Sequence, residues 1–347
     1  MCTKIGIVHN LKPESPSVKN LSQTLGELRD TYDIDVFPLR GDSTSILRNN
    51  KYAKSVNSIL KSILYYKRIR KYDIIIVHKC LTPVDLPLLE YLFMSCERTV
   101  FSTYDAEYIE KPYCTNVLSE HSNKVLATSS RILDVYEGKT SDEKVHLVPP
   151  SIDTEFFSPI DNGEGGAKNE YVLGWVGNAN SHSIDLEYMV SIFNRIEFNQ
   201  NVTLRLLGGG DIPDKISSKL EDLNLNIEII DFVPWEEVPV IINSFDVGLV
   251  PLKDTEYNRG RSCEKVREYM ACGVPVIGSH VGENPQLIPR ETGILCEDIS
   301  DWENAIGYMR DDEVRSQYGT KAREHIVDNY STEIVSELLD EKILKRT

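Results

Sequence analysis

The chain has 347 residues, 41% of them hydrophobic, and a formal net charge of -16 at pH 7. That length suits two domains with substantial cores. The acidic balance excludes a general nucleic-acid binder, which needs dense Lys and Arg against the phosphate backbone.

Seven cysteines are scattered without a C-x-x-C pair. They suggest neither a zinc knuckle nor a redox pair, and they fit a reducing compartment. The N-terminal MCTKIGIVHNLKPESP lacks the apolar run of a signal peptide, and no stretch is long enough for a transmembrane helix. The expected home is the cytoplasm.

In chain order, KIGIV at 4–8 reads as a strand, and Val18, Leu21, Leu25 and Leu28 then recur at helical spacing. DIDVFPL from 33, DIIIVH at 73–78, RTVFST at 98–103 and KVLATS at 124–129 continue as strands. Near-continuous apolar strands between helices predict a parallel sheet covered on both faces. IDNGEGGAKNE then has the composition of a flexible link. A second series follows: YVLGWVG at 171–177, VTLRLLG at 202–208, IEII at 227–230, FDVGLVP at 245–251 and VPVIGS at 274–279. The fold class is α/β, two doubly wound lobes. Ser300 and Glu303 suggest a capping box ahead of Ala305, Ile306 and Met309, with two more helices to the C-terminus.

Between the first strands, residues 52–72 stand apart. Val56, Ile59, Leu60, Ile63 and Leu64 line one helical face; Lys54, Lys61 and Arg68 lie on another, joined by Lys51, Lys67, Arg70 and Lys71. No acidic residue interrupts 51–72. This pattern suits an amphipathic helix at an anionic membrane. It also suits a lobe helix packing its apolar face on its own sheet; the basic face would then still attract anionic lipid.

Ligands of doubly wound proteins sit at the carboxyl ends of strands. Walker A and GxGxxG patterns are absent. Gly177 and Asn178 follow one strand, and Gly208, Gly209 and Gly210 another; they suit either close approach to an anion or plain tight turns. Arg259, Arg261 and Lys265 flank a helix expected to begin around Ser262, a favourable place for a diphosphate. Glu268, three residues after Lys265, could accept from sugar or ribose hydroxyls or simply pair with Lys265. Gly273 and Pro275 stop that helix.

KVREYMACGVPVIGSHVGENPQLI, with GWVGN, LRLLGGG, DFVPWEEVPVIINSFDVGLVP, PSIDTEFFSP, ETGILCED and DDEVRSQYGTKAREHIVDNYS, resembles glycosyltransferase family 4, the group 1 glycosyltransferases. The specific resemblance covers roughly residues 145–330, and the first lobe matches in layout. It implies the GT-B fold, two Rossmann-like lobes facing a cleft. Implied bounds are an acceptor-side lobe over 1–158, a linker over 159–168, a nucleotide-sugar lobe over 169–329, and a last helix over 330–347 crossing back to the first lobe.

The resemblance further implies a retaining transfer from a nucleoside diphosphate sugar to a hydroxyl acceptor, with no metal and no other cofactor. The acceptor class is open: glycan, lipid-linked or small molecule. Glu268 falls on the second glutamate of the family's E-x7-E pattern, associated with donor ribose; the first falls on Gly260. The usual basic pair after the first strand of the second lobe is replaced by Asn178 and Asn180, leaving Arg259, Arg261 and Lys265 to supply charge. The backbone around Gly260 is a substitute for the lost glutamate. Phe232, Val233 and Pro234 occupy the nucleobase turn.

In the first lobe Tyr104 and Asp105 stand where members often have histidine; Asp105 either orients a hydroxyl or caps the next helix. Asn10, Ser15 and Ser17 approach the cleft or belong to a solvated loop, and His78 reads as a near-core histidine. The expected catalytic set is Asp105, Lys265 and Glu268. The expected donor set is Gly177, Asn178, Gly209, Val233, Arg259, Gly260, Arg261, Lys265 and Glu268. A nucleotide-sugar epimerase, a phosphorylase and a non-catalytic binder of similar form remain open.

Overall fold

The computed structural model describes residues 2–12, 15–40, 51–160, 170–198, 201–210 and 212–345, with the side chains of 51–57 outside that description. Most of the linker expected over 159–168 falls outside the described residues. The chain divides into two compact units: Met1–Ser151 with Arg259–Ser262 and Thr332–Thr347, and Ile152–Asn258 with Cys263–Ser331.

The first unit holds a six-stranded parallel sheet of β1 (Thr3–His9), β2 (Tyr32–Pro38), β3 (Ile74–His78), β4 (Thr99–Ser102), β5 (Lys124–Ala127) and β6 (Val145–Leu147). Their order is β2-β1-β3-β4-β5-β6. Every residue of β3 and β4 is buried. That is the two-sided burial which near-continuous apolar runs require.

The second unit repeats the plan with β7 (Tyr171–Val176), β8 (Val202–Leu207), β9 (Asn226–Ile230), β10 (Val247–Val250), β11 (Val276–Ser279) and β12 (Gly293–Cys296). Their order is β12-β11-β10-β7-β8-β9. Within each sheet the strand order reverses once beside the first strand, at β1/β3 and at β7/β10. Such reversals open a crevice at the carboxyl ends of the strands.

Eight helices matter here: α1 (Pro16–Gly26), α2 (Lys51–Ile69), α3 (Leu88–Met94), α4 (Ser183–Phe193), α5 (Glu264–Ala271), α6 (Ile299–Tyr308), α7 (Asp312–Tyr330) and α8 (Thr332–Leu339). Proline at the first turn and glycine at the end bound α1, which buries Val18, Leu21 and Leu25. The C-terminal α8 belongs to the first unit, where Val335 and Leu339 join Ile5, Ile7, Leu21 and Leu25 in one core. No helix among the described residues is long and apolar enough to cross a membrane.

Two local expectations are corrected. The capping box of α6 is Asp298 with Asp301, not Ser300 with Glu303: Asp298 Oδ1 accepts from the Asp301 amide at 3.0 Å, and Asp301 Oδ2 from the Asp298 amide at 3.3 Å. Ser300 instead donates to Asp298 Oδ1 at 2.6 Å. The earlier start sets Trp302, Ala305 and Ile306 on the core. Helix α5 begins at Glu264 rather than around Ser262, because Cys263 takes a left-handed φ of 54° that a helix cannot include. It stops at Gly273, whose φ of 72° suits glycine.

The carboxyl end of β7 is held from α5. The fully buried Tyr269 hydroxyl accepts the Val176 amide at 2.7 Å. Tyr269→Phe strands that amide, and should lower stability by about 1–3 kcal/mol in urea unfolding. Tyr308→Phe, at a 53% exposed tyrosine, should cost less than about 0.5 kcal/mol. Equal effects would show that this bond does not hold the strand end.

Candidate functional site

In the second unit the crevice lies where β7 and β10 end. Gly177 leaves β7 with its amide donating to Leu207 O at 2.9 Å. The next loop crosses close by: Gly208 has a φ of 83°, and a Cβ there would collide with the Gly177 carbonyl. A Cβ on Gly177 would lie 2.8 Å from the Trp175 ring and 2.9 Å from Lys265 Cε. Glycine at 177 is therefore what lets the Lys265 stem cross the end of the strand.

Lys265 ends at His182. Its Nζ lies 3.2 Å from His182 Nε2, and His182 Nδ1 lies 3.5 Å from Asp185 Oδ2. The ammonium must donate, so Nε2 accepts and the ring proton sits on Nδ1 facing the carboxylate. Asp185 is 4% exposed. Its Oδ1 accepts from the Lys253 amide at 3.1 Å and from Asn258 Nδ2 at 2.7 Å. The loop after β10, the first turn of α4 and the Lys265 ammonium are thus joined through one buried carboxylate. His182 and Asp185 were missed in the sequence, although they follow GWVGN by only a few residues. Their role comes from partners about 70–80 residues away, which local spacing does not show.

Glu268 is half-buried on α5, one turn from Glu264. Burial and then the Glu264 charge push its carboxyl up to about 7, against the pull of Lys265. Asn178 closes its own turn: its Oδ1 accepts from the Ser181 amide and hydroxyl at 2.8 and 2.9 Å. The Gly209 amide is spent on Ile230 O at 3.1 Å. Phe232 is 60% exposed in the turn after β9, with Val233 half-buried beside it. Arg259, Gly260 and Arg261 group with the first unit, Lys265 and Glu268 with the second. The expected basic cluster is therefore divided between units.

In the first unit, Lys79 and Asp105 follow β3 and β4 with φ of 60° and 57°. Left-handed backbone at two non-glycine residues is strain that the surroundings must hold in place. Their side chains pair at 3.8 Å, and the Lys79 amide donates to Ser102 O at 2.9 Å. Asp105 is not a helix cap: the turn Glu107–Glu110 has Ala106 at its N-cap and no side-chain cap bond. His78 is 1% exposed, with Nδ1 3.0 Å from Ser102 Oγ, and burial holds it well below the usual histidine range. Asn10 ties a loop, donating to Leu81 O at 2.6 Å and accepting from Ser58 Oγ at 3.2 Å. Ser15 sits at the N-cap of α1 without a side-chain bond, and Ser17 is buried.

Gly260 packs tightly: a Cβ there would lie 2.9 Å from Ala106 Cβ and 3.1 Å from Tyr108 Oη. Its carbonyl accepts from Ser129 Oγ at 3.3 Å. A glutamate at 260 would have to displace the turn at Ala106.

Glu107, near Asp105, is 7% exposed; its Oε1 accepts the Cys80 amide at 3.3 Å, and Oε2 has no hydrogen-bond partner among the described residues. Burial pushes its carboxyl from 4.5 up to about 7, although Lys79 and Lys111 pull it down. A carboxyl that holds its proton more tightly when folded stabilises the protein fully at pH below 4.5 and loses that contribution as pH rises to about 7. Glu107→Gln should flatten this decline, recovering up to roughly 3 kcal/mol of the difference between pH 4.5 and pH 8. Urea midpoints of both proteins across that range measure it. Parallel curves would place the Glu107 titration elsewhere.

Comparison with known proteins follows the same outline. Residues 170–312 match the model of the family described as Glycosyl transferases group 1. N-acetyl-alpha-D-glucosaminyl L-malate synthase of Bacillus anthracis is 26% identical over 230 residues, which cover 63% of this chain and 58% of that protein. The match thus spans under two thirds of that relative's length. Among solved structures, sucrose-phosphate synthase from Thermosynechococcus elongatus superposes with a TM-score of 0.74 at 17% identity, covering 98% of both chains. Anabaena HepE, solved with UDP and glucose, gives 0.72 at 13% identity over 99% of this chain and 100% of its own. A glycosyltransferase from Rickettsia africae gives 0.67 at 14%, covering 100% of both. The resemblance to the group 1 glycosyltransferases therefore holds over residues 170–312, and the fold of the chain is GT-B.

Proposed function

We propose that the chain is a glycosyltransferase that moves a sugar from a nucleoside diphosphate sugar to a hydroxyl acceptor with retention of configuration. The observation that carries this reading is Lys265, laid across Gly177 at the strand-order reversal and held by His182 and Asp185. A fixed ammonium beside close-approaching backbone suits a diphosphate. HepE has been solved with UDP-glucose, which supports a donor of this class. The matched segment, 170–312, contains Gly177, His182, Lys265 and Glu268.

In this reading Lys265 meets the diphosphate, and Gly177, Asn178 and Gly209 form the surrounding turns. Phe232 and Val233 face the base. Glu268, when ionised, accepts from donor hydroxyls. Asp105, paired with Lys79, orients the acceptor hydroxyl. The bond from the anomeric carbon to the diphosphate breaks as the bond to the acceptor oxygen forms on the same face, and the acceptor proton passes to a donor phosphate oxygen. Negative charge developing on the leaving diphosphate is what the fixed ammonium stabilises. The acceptor is a glycan, a small molecule or a lipid-linked hydroxyl. The last places a cytoplasmic protein at the inner face of an anionic membrane.

Calorimetry against a panel of nucleotide-sugars, followed by mass and anomeric analysis of products formed with mixed acceptors, tests the reading. An epimerised donor, a response to inorganic phosphate, or binding without product would each favour one of the open alternatives over transfer. Lys265→Ala should weaken the best nucleotide-sugar by about 1–3 kcal/mol and leave the bare nucleoside little changed. Equal losses would remove Lys265 from the diphosphate.

Glu268 supplies a pH signature. Burial pushes its carboxyl up to about 7, so affinity for the nucleotide-sugar should rise with pH through that range. In Glu268→Gln that rise should flatten. An unchanged profile would mean that Glu268 does not meet donor hydroxyls.

A further inference from the structure

Helix α2 is turned opposite to what its sequence suggests. Ser58, Ser62 and Ile69 are buried, with Tyr65 and Tyr66 partly buried against the first unit's core. Ser62 Oγ donates to Ser58 O at 2.7 Å, so the inward hydroxyl is satisfied within the helix. Tyr66 packs edge-on to Phe93 at 6.3 Å, and its hydroxyl lies 3.0 Å from Ser95 Oγ. Tyr65 meets Phe37 at 5.5 Å.

The aliphatic residues point away. Leu60 is 57% exposed, Ile63 54% and Leu64 72%. Leu60, Leu64, Lys67 and Lys71 follow the same i, i+4, i+7, i+11 spacing as Ser58, Ser62, Tyr65 and Ile69, two residues on. That is about 200° round the helix axis. The outward stripe is therefore aliphatic at one end and cationic at the other, where Lys67, Arg70 and Lys71 are all exposed. Arg68 lies to one side, 3.7 Å from Asp35. Beside α2, α3 also exposes Leu88 and Tyr91.

Exposing three large aliphatic side chains on one stripe leaves a contiguous apolar surface that water does not favour. The cations beside it run against the charge of the whole chain, -16. Acidic residues are absent from 51–72. An occupant must accept alkyl chains and, along the same line, present a dense field of negative charge. The acyl–headgroup boundary of an anionic bilayer meets both demands.

We propose that the outward stripe of α2 docks the protein on anionic membrane, with Leu60, Ile63 and Leu64 entering the acyl boundary and Lys67, Arg70 and Lys71 meeting lipid phosphates. The helix lies along the interface and does not cross it. The inference stands apart from the sugar-transfer reading, because it uses no residue of the nucleotide site.

The full chain is sedimented with vesicles of phosphatidylcholine alone or with added phosphatidylglycerol, at low and high salt. The wild type should bind the anionic vesicles and release as salt rises. Leu60→Ser/Ile63→Ser/Leu64→Ser should bind at least about tenfold more weakly at unchanged charge. Lys67→Glu/Arg70→Glu/Lys71→Glu should do the same and leave nucleotide-sugar affinity unchanged. Melting temperature and elution volume should not move in the serine variant. Absence of vesicle binding, equal binding to neutral vesicles, or full binding by the serine variant would overturn the proposal. A lowered melting temperature would mean that the chain covers this face itself. A smaller oligomer would mean that a second copy does.

Discussion

A buried carboxylate governs the second unit's crevice. Asp185 is 4% exposed on the first turn of α4. Burying such a group without partners costs several kcal/mol, so the surrounding chain must bring donors to it. The Lys253 amide and Asn258 bring the loop after β10, and His182 brings its Nδ1 proton. Once the ring is fixed in that tautomer, its other nitrogen can only accept, and Lys265 supplies the donor. The position of the ammonium therefore follows from the needs of a carboxylate that faces away from it. Gly177 completes the arrangement by having no Cβ in the path of the lysine stem.

The first unit meets a similar problem differently. Glu107 is equally hidden, but its Oε2 finds no hydrogen-bond partner among the described residues. Lys79, Lys111 and the Cys80 amide favour its ionised form, yet burial outweighs them. Neighbouring Asp105 is half-buried, with its carboxylate 3.8 Å from Lys79. Both partners take left-handed backbone after their strands. The strain and the ion pair fix where the Asp105 carboxylate points. Two carboxyls two residues apart thus differ in their surroundings: burial raises the pKa of Glu107, and Asp105 sits beside a lysine.

The sheets were legible in the sequence because two-sided burial writes itself as continuous apolar runs such as Ile74–Val77 and Val247–Val250. Gly273 was legible as well, as the stop of α5, whereas the space that Gly177 leaves for Lys265 was not. Competing local signals misled. Ser300 and Glu303 satisfy a capping spacing, but Asp298 and Asp301 satisfy it two residues earlier and bring Trp302 to the core. In α2 the leucines imply an inward face, whereas the tyrosines and Ile69 supply more packing against the first sheet and claim it. His182 and Asp185 look like ordinary residues at a helix start. Their importance comes from Asn258 and Lys265, placed beside them by the return of β10 to the far side of β7.

Close packing also bears on the residue at 260, where the group 1 pattern would have glutamate and this chain has glycine. A Cβ at Gly260 already approaches Ala106 Cβ to 2.9 Å, with the Tyr108 hydroxyl close behind. Adding a carboxylate would require moving the turn that carries Asp105, and Asp105 is tied through Lys79 to the end of β3. The Gly260 carbonyl is also anchored by Ser129 Oγ. Loss of the carboxylate and close packing at this turn are therefore one structural choice.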